Sequence, residues 1–142
     1  MREFSDTAPP AWTFGPGREG WNLRQATDEG YPLPEVWRIV PQGDDPQIVG
    51  PPTVWRADRA KRLRIVAACE GSDGHAQLFL QPFRQSSPLT TSFRLTAGAD
   101  LKSYDIPLEA VDGYAGALQS LRIDPPAGCR RFHLKSVTLL EA

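Results

Sequence analysis

Apolar and polar residues alternate with period two in the best-defined segments of this chain. That alternation is the mark of half-buried β-strands. In residues 61–69 (KRLRIVAAC), Leu63, Ile65, Ala67 and Cys69 fall on one face, with Arg62 and Arg64 on the other. In residues 75–81 (HAQLFLQ), Ala76, Leu78 and Leu80 share one face, while His75, Gln77, Phe79 and Gln81 share the other. The loop between them supplies glycines at 71 and 74 for positive φ, so the two segments are expected to pair as a hairpin. Residues 92–96 with 102–108, and 118–123 with 131–140, are expected to form two further pairs. Shorter strands are expected at 12–14, 36–40 and 47–49. A helix is the alternative for 57–68, where Ala, Lys, Arg and Leu are good helix formers.

Fourteen prolines run from position 9 to position 126, and twelve glycines from position 15 to position 128. Proline breaks helices and central strands alike. Few windows are left for a helix of about 11–12 residues, and short strands between frequent turns point to a sandwich or barrel. The 142 residues suit one domain of about the usual size. Residues 1–10 read as a flexible arm and 11–142 as a single domain. Sixteen Lys and Arg against seventeen Asp and Glu give a formal charge of −1. No basic stripe is present to displace counterions from a phosphate backbone, so nucleic acid is disfavoured. The longest apolar run, 65–69, is far too short to span a bilayer. The first residues, MREFSDTAPPAW, carry no apolar signal core, which leaves the cellular location open. Cys69 lies in phase with an apolar face. The preferred reading of Cys69 and Cys129 is two free, buried thiols, with a single disulfide as the alternative.

Motifs for chemistry are sparse. Residues 15–20 (GPGREG) match the string GxGxxG, but no helix is expected after it to receive a phosphate. There is no GxSxG elbow and no HExxH pair. His75 and His133 fall inside expected strands and read as sheet-face residues. Asp44 and Asp45 are adjacent and point apart in an extended segment, so they do not make a glycosidase pair. Asp45-Pro46 and Asp124-Pro125 read as turn chemistry. No catalytic residue and no metal site is assigned.

The aromatics carry more information. Trp12, Trp21, Trp37 and Trp55 all lie in the first 55 residues, with Tyr31 among them. A saccharide site combines an apolar surface with a few placed polar groups. Trp21, Tyr31 and Trp55 lie in turn-like, proline-flanked stretches and are the candidate sugar platforms, whereas Trp12 and Trp37 read as core. The alternative puts all four tryptophans in the core. Gln77, Gln81 and Arg84 stand on or just beyond one strand face, and Gln81 and Arg84 are the candidate hydrogen-bonding partners. Arg122 faces away from Leu121 and Ile123, and a loop carboxylate could equally be its partner.

An ordered set of strings then matters: Glu19-Gly20-Trp21, residues 43–48 (GDDPQI) with Pro51-Pro52, 63–66 (LRIV), 76–79 (AQLF), 104–108 (YDIPL) and 121–125 (LRIDP). In this order, from about 12 to 140, they resemble the galactose-binding-like jelly-roll domains of bacterial carbohydrate-active proteins. The resemblance implies an all-β, two-sheet antiparallel sandwich of about eight or nine strands with little helix and no catalytic residues. It implies a carbohydrate-binding module, with a polysaccharide or oligosaccharide as partner. A structural calcium is common in such domains, with no ligands assigned in this chain. A free-standing module would suit a subunit that attaches a larger, phage-like particle to cell-surface polysaccharide. The alternative is an adaptor in such an assembly, with protein subunits as its partners.

Overall fold

The computed structural model describes residues 9–15, 17–28, 35–83 and 85–141. Twelve strands lie among them: β1 (Ala11–Thr13), β2 (Asn22–Arg24), β3 (Ala26–Asp28), β4 (Trp37–Pro41), β5 (Gln47–Val49), β6 (Trp55–Arg56), β7 (Arg62–Gly71), β8 (Gly74–Pro82), β9 (Leu89–Leu95), β10 (Gly98–Pro107), β11 (Ala117–Asp124) and β12 (Cys129–Leu140). The expected all-β sandwich is what forms. The strands beyond the expected eight or nine are the short pieces β2, β3 and β6. The helical alternative for 57–68 does not form: Ala57–Arg59 is a single 3-10 turn, and β7 follows it.

Two antiparallel sheets make the sandwich. Sheet 1 runs β10-β7-β12-β4-β3, and sheet 2 runs β2-β5-β11-β8-β9. β12 is long enough to pair with β7 along one edge and with both β4 and β1 along the other. β11 likewise pairs with β8 on one edge and with β5 and β6 on the other. The inward faces supply the core: Leu63, Ile65, Ala67 and Cys69 from β7 meet Ala76, Leu78 and Leu80 from β8. The period-two phase of both segments therefore holds.

The expected pairings do not. β7 and β8 lie in different sheets, and so do β9 and β10, and β11 and β12. Each expected hairpin is instead a crossing from one sheet to the other. The phase of a strand says which residues face the core, and a strand in either sheet of a sandwich satisfies it equally. The crossing after β7 is tight. Gly71 has φ 147°, and a Cβ there would collide with the carbonyl of Gly128. Among sequence-adjacent strands, β8 and β9 do pair directly, from Gly74–Leu95 to Leu80–Leu89.

The cysteines are joined. Cys69 and Cys129 form a disulfide between β7 and β12, with a Cα separation of 5.3 Å. This corrects the preference for free thiols. The phase of Cys69 accounts for its burial, but its partner opens a strand 60 residues away and leaves no local signal.

Candidate functional site

The outward face of sheet 2 is built from the residues between the core positions of β8. Ala76, Leu78 and Leu80 are buried, so Gln77, Phe79 and Gln81 point away from the core. Phe83, of the same parity and just beyond the strand, is 49 % exposed. Gln77 to Phe83 spans about 20 Å of extended chain. Strand register extends this line sideways. Phe79 lies opposite Arg122 of β11 and Thr90 of β9, and Arg122 lies opposite Val49 of β5. Gln77 lies opposite Asp124 and Ser92, and Gln81 opposite Ser120.

Arg122 is the fixed point of this face. Its Nε donates to Asp124 Oδ1 at 2.8 Å and its Nη2 to Asp124 Oδ2 at 2.7 Å. Such a fork sets the plane of the guanidinium. The guanidinium carbon stands 4.1 Å from the centroid of the Phe79 ring, a cation–π contact. Hydrogen bonding to Asp124 raises the Arg122 pKa against the opposing effect of burial, and the charges of Asp124 and Asp45 add to the rise. Two carboxylates thus offset the one guanidinium, and the centre of the face carries no excess positive charge. Gln81 Nε2 donates to the carbonyls of Pro82 at 3.1 Å and Gln85 at 2.6 Å, which fixes the amide. The face combines a flat cation over one ring, a second exposed ring, and a set of amides and hydroxyls.

The described members of the sequence-predicted set, Trp21, Trp55 and Gln81, are not brought together. Trp21 is 2 % exposed and Trp55 5 %, so both indoles belong to the core. Trp21 packs edge-on against Trp12 at 5.2 Å and Phe14 at 5.8 Å. Gly50 makes room for it, since a Cβ there would sit 3.2 Å from the indole. Trp55 donates from Nε1 to the hydroxyl of Tyr114 at 3.0 Å, and that hydroxyl donates to the carbonyl of Ala60. Burial pushes the Tyr114 pKa up to about 12. Indoles so enclosed offer no face to a sugar. Proline-flanked stretches suggested exposure, but a short extended segment can close the edge of a sandwich as well as a loop can. Tyr31 and Arg84 lie outside the described residues. Of the three described, Gln81 alone stands on the sheet face.

The residues missed were Phe79 and Phe83 as rings, and Asp124 as the partner of Arg122. The signal was present for Phe79, an aromatic in the middle of the polar phase of β8. Elsewhere, residues 18–21 form a turn in which the Trp21 N–H donates to the Arg18 carbonyl at 2.9 Å. Strand β2 follows it, so no helix terminus is available for a phosphate. His133 is buried and hydrogen-bonded to Glu70. Among the described residues, no group of three or more His, Cys, Asp or Glu side chains is placed to hold a metal ion.

Solved structures with this architecture include carbohydrate-binding modules. A variant of a family 29 carbohydrate-binding module has a TM-score of 0.62 at 11% identity, covering 94% of this chain and 93% of that module. Another variant of that module, complexed with cellulohexaose, has a TM-score of 0.60 at 12% identity, covering 93% and 92%. The family 11 module from Clostridium thermocellum, in complex with a β-1,3-1,4-mixed-linked tetrasaccharide, has a TM-score of 0.55 at 10% identity, covering 100% and 94%. At these identities the likeness is one of fold. No protein-family model matches the chain, and no curated protein matches it.

Proposed function

We propose that this chain, which shares its jelly-roll fold with carbohydrate-binding modules, is itself a non-enzymatic saccharide-binding module with residues 11–142 acting as one unit. Its site is the outward face of sheet 2. The observation that carries this reading is the run Gln77, Phe79, Gln81 and Phe83 beside the pinned Arg122. Sugar rings present apolar C–H faces edged with hydroxyls. Phe83 supplies a surface for the first, and Gln77, Gln81 and Arg122 supply hydrogen-bonding groups for the second. The charge balance of Arg122 with Asp124 and Asp45 suits a neutral chain. The length of the face suits several units of a linear polymer. Attachment to a cell-surface polysaccharide, as part of a larger particle, is the finer form of the same proposal.

The test is a glycan array weighted towards linear neutral glucans and mannans, followed by titration calorimetry on the hits. Phe83→Ala and Gln77→Ala should each weaken binding about tenfold or more while the thermal midpoint stays within a degree or two of wild type. Silence across the array, or binding indifferent to both substitutions, would sink the assignment. Silence would also turn attention to a protein partner.

A further inference from the structure

The outward face of sheet 1 differs in character from that of sheet 2. A recess of about 500 Å³ opens there. Its floor is Glu70 of β7, Arg131 and His133 of β12 and Arg38 of β4. Strand register makes these neighbours: Arg131 lies opposite Glu70, and His133 lies opposite Arg38. The wall comes from an irregularity in β10. Its register with β7 shifts between Gly98 and Lys102, and the intervening segment contributes Leu101, which is 44 % exposed. Bulges of this kind commonly re-aim a side chain beside a binding site. Val36 adds a second apolar contact.

The floor charges are unequal. Glu70 is shared by His133, through a hydrogen bond, and by Arg131 Nη1 at 3.6 Å. Its carboxyl is held below the usual range, first by the His133 hydrogen bond. Arg38 makes no hydrogen bond or ion pair with any described residue. Its neighbours further along the face differ, because Arg64 pairs with Asp105 at 2.8 Å and Lys135 Nζ reaches the Glu35 carbonyl at 2.9 Å. A half-buried guanidinium without an acceptor among the described residues, at the floor of a recess with an apolar wall, is arranged to receive an anion carried on a partly apolar body.

We propose that this recess binds a carboxylate-bearing sugar unit, as in an acidic polysaccharide, at a second site separate from the face of sheet 2. Arg38 takes the carboxylate. Glu70 accepts from a ring hydroxyl, and Leu101 and Val36 pack on the C–H face. The inference rests on the preceding reading only in taking the ligand to be a saccharide.

The experiment is titration calorimetry with oligogalacturonate, its carboxyl-reduced counterpart and cellohexaose. Oligogalacturonate should bind wild type, more weakly as salt is raised, and the reduced form should not. Arg38→Ala should weaken oligogalacturonate roughly tenfold or more, the usual consequence of losing a charge-assisted hydrogen bond. Leu101→Ser, at an exposed position outside the core, should weaken it several-fold. Neither substitution should alter cellohexaose binding, and Phe83→Ala should alter only that. No binding of oligogalacturonate, equal binding of the reduced form, or indifference to both substitutions would overturn the proposal. So would capture of phosphatidylserine vesicles in place of the saccharide. Failure of cellohexaose alone would count against the sheet 2 site and leave this one standing.

Discussion

Replacing both cysteines with alanine, Cys69→Ala with Cys129→Ala, should cost this protein about 4 kcal/mol of stability. The bridge closes a segment 60 residues long. In the chain-entropy account, a loop of that length removes about 14 cal/mol/K from the unfolded ensemble, or about 4 kcal/mol at room temperature. The folded state loses little else, because β7 and β12 are hydrogen-bonded along almost their whole length with or without the bridge. The effect is therefore exerted on the unfolded chain. Equilibrium unfolding in urea is the assay. With a slope of about 2 kcal/mol/M, the midpoint should fall by about 2 M, and the slope should rise as the unfolded chain expands. Wild type reduced with dithiothreitol should behave like the double variant. The reduced protein should still fold, since domains of this size are commonly stable by about 5–15 kcal/mol. A loss below about 1 kcal/mol, or an oxidised and a reduced form with the same midpoint, would refute the entropic reasoning.

Trp21→Ala should lower stability by about 3–5 kcal/mol in the same urea assay, as large-to-small changes in a core do. Phe83→Ala should stay within about 0.5 kcal/mol, which separates the core aromatic from the surface one. Tyr114 gives a signature in alkali. Its folded pKa of about 12 lies above the ordinary 10, so its stabilisation is complete below pH 10 and is lost as pH rises towards 12. Tyr114→Phe should flatten that part of the stability–pH curve. In acid the sign reverses. Asp105, hydrogen-bonded to Arg64, and Asp73, hydrogen-bonded to the Ala97 N–H, titrate below the ordinary 3.8. Their contribution is present above that value and lost as pH falls through the lowered ones, so Asp105→Asn should reduce the acid dependence of the thermal midpoint.

The second half of the chain was legible because its strands are long enough to show a period. Leu63, Ile65, Ala67, Ala76, Leu78 and Leu80 all face the core as their spacing requires. What spacing cannot show is which strand lies beside which. Local turns at 71–74, 96–98 and 125–128 look alike whether the chain doubles back within a sheet or crosses between two. In the first half, strands of two to five residues are too short for a period, and β2, β3 and β6 went unseen. Trp21 and Trp55 were read from their flanking prolines, yet burial is decided by what packs against a residue. Trp21 is enclosed by Trp12, Phe14 and the space left by Gly50, contacts distributed over 39 positions of sequence. The candidate face of sheet 2 is half legible. The polar phase of β8 gives Gln77 and Gln81 their face, and the Arg122–Asp124 fork joins residues two apart on β11, but the placement of that fork over Phe79 depends on a pairing of β8 with β11 that no local pattern encodes.

The position of β12 within sheet 1 bears on the order in which the protein can assemble. During synthesis this strand is the last of the described twelve to leave the ribosome, yet β7 lies on one side of it and β4 and β1 on the other. Until it arrives, β7 can pair only with β10 and β4 only with β3, and nothing joins the two halves of the sheet. The sulfur partner of Cys69 is also absent until then. Sheet 1 can therefore close only after β12 has been made, while β8 and β9 can pair as soon as both are made. Pairings over such long separations are slow, and the nascent chain displays two unfilled strand edges in the interval. A ribosome-bound chain halted after β11 should be sensitive to protease in sheet 1 and become resistant only when β12 is released to insert.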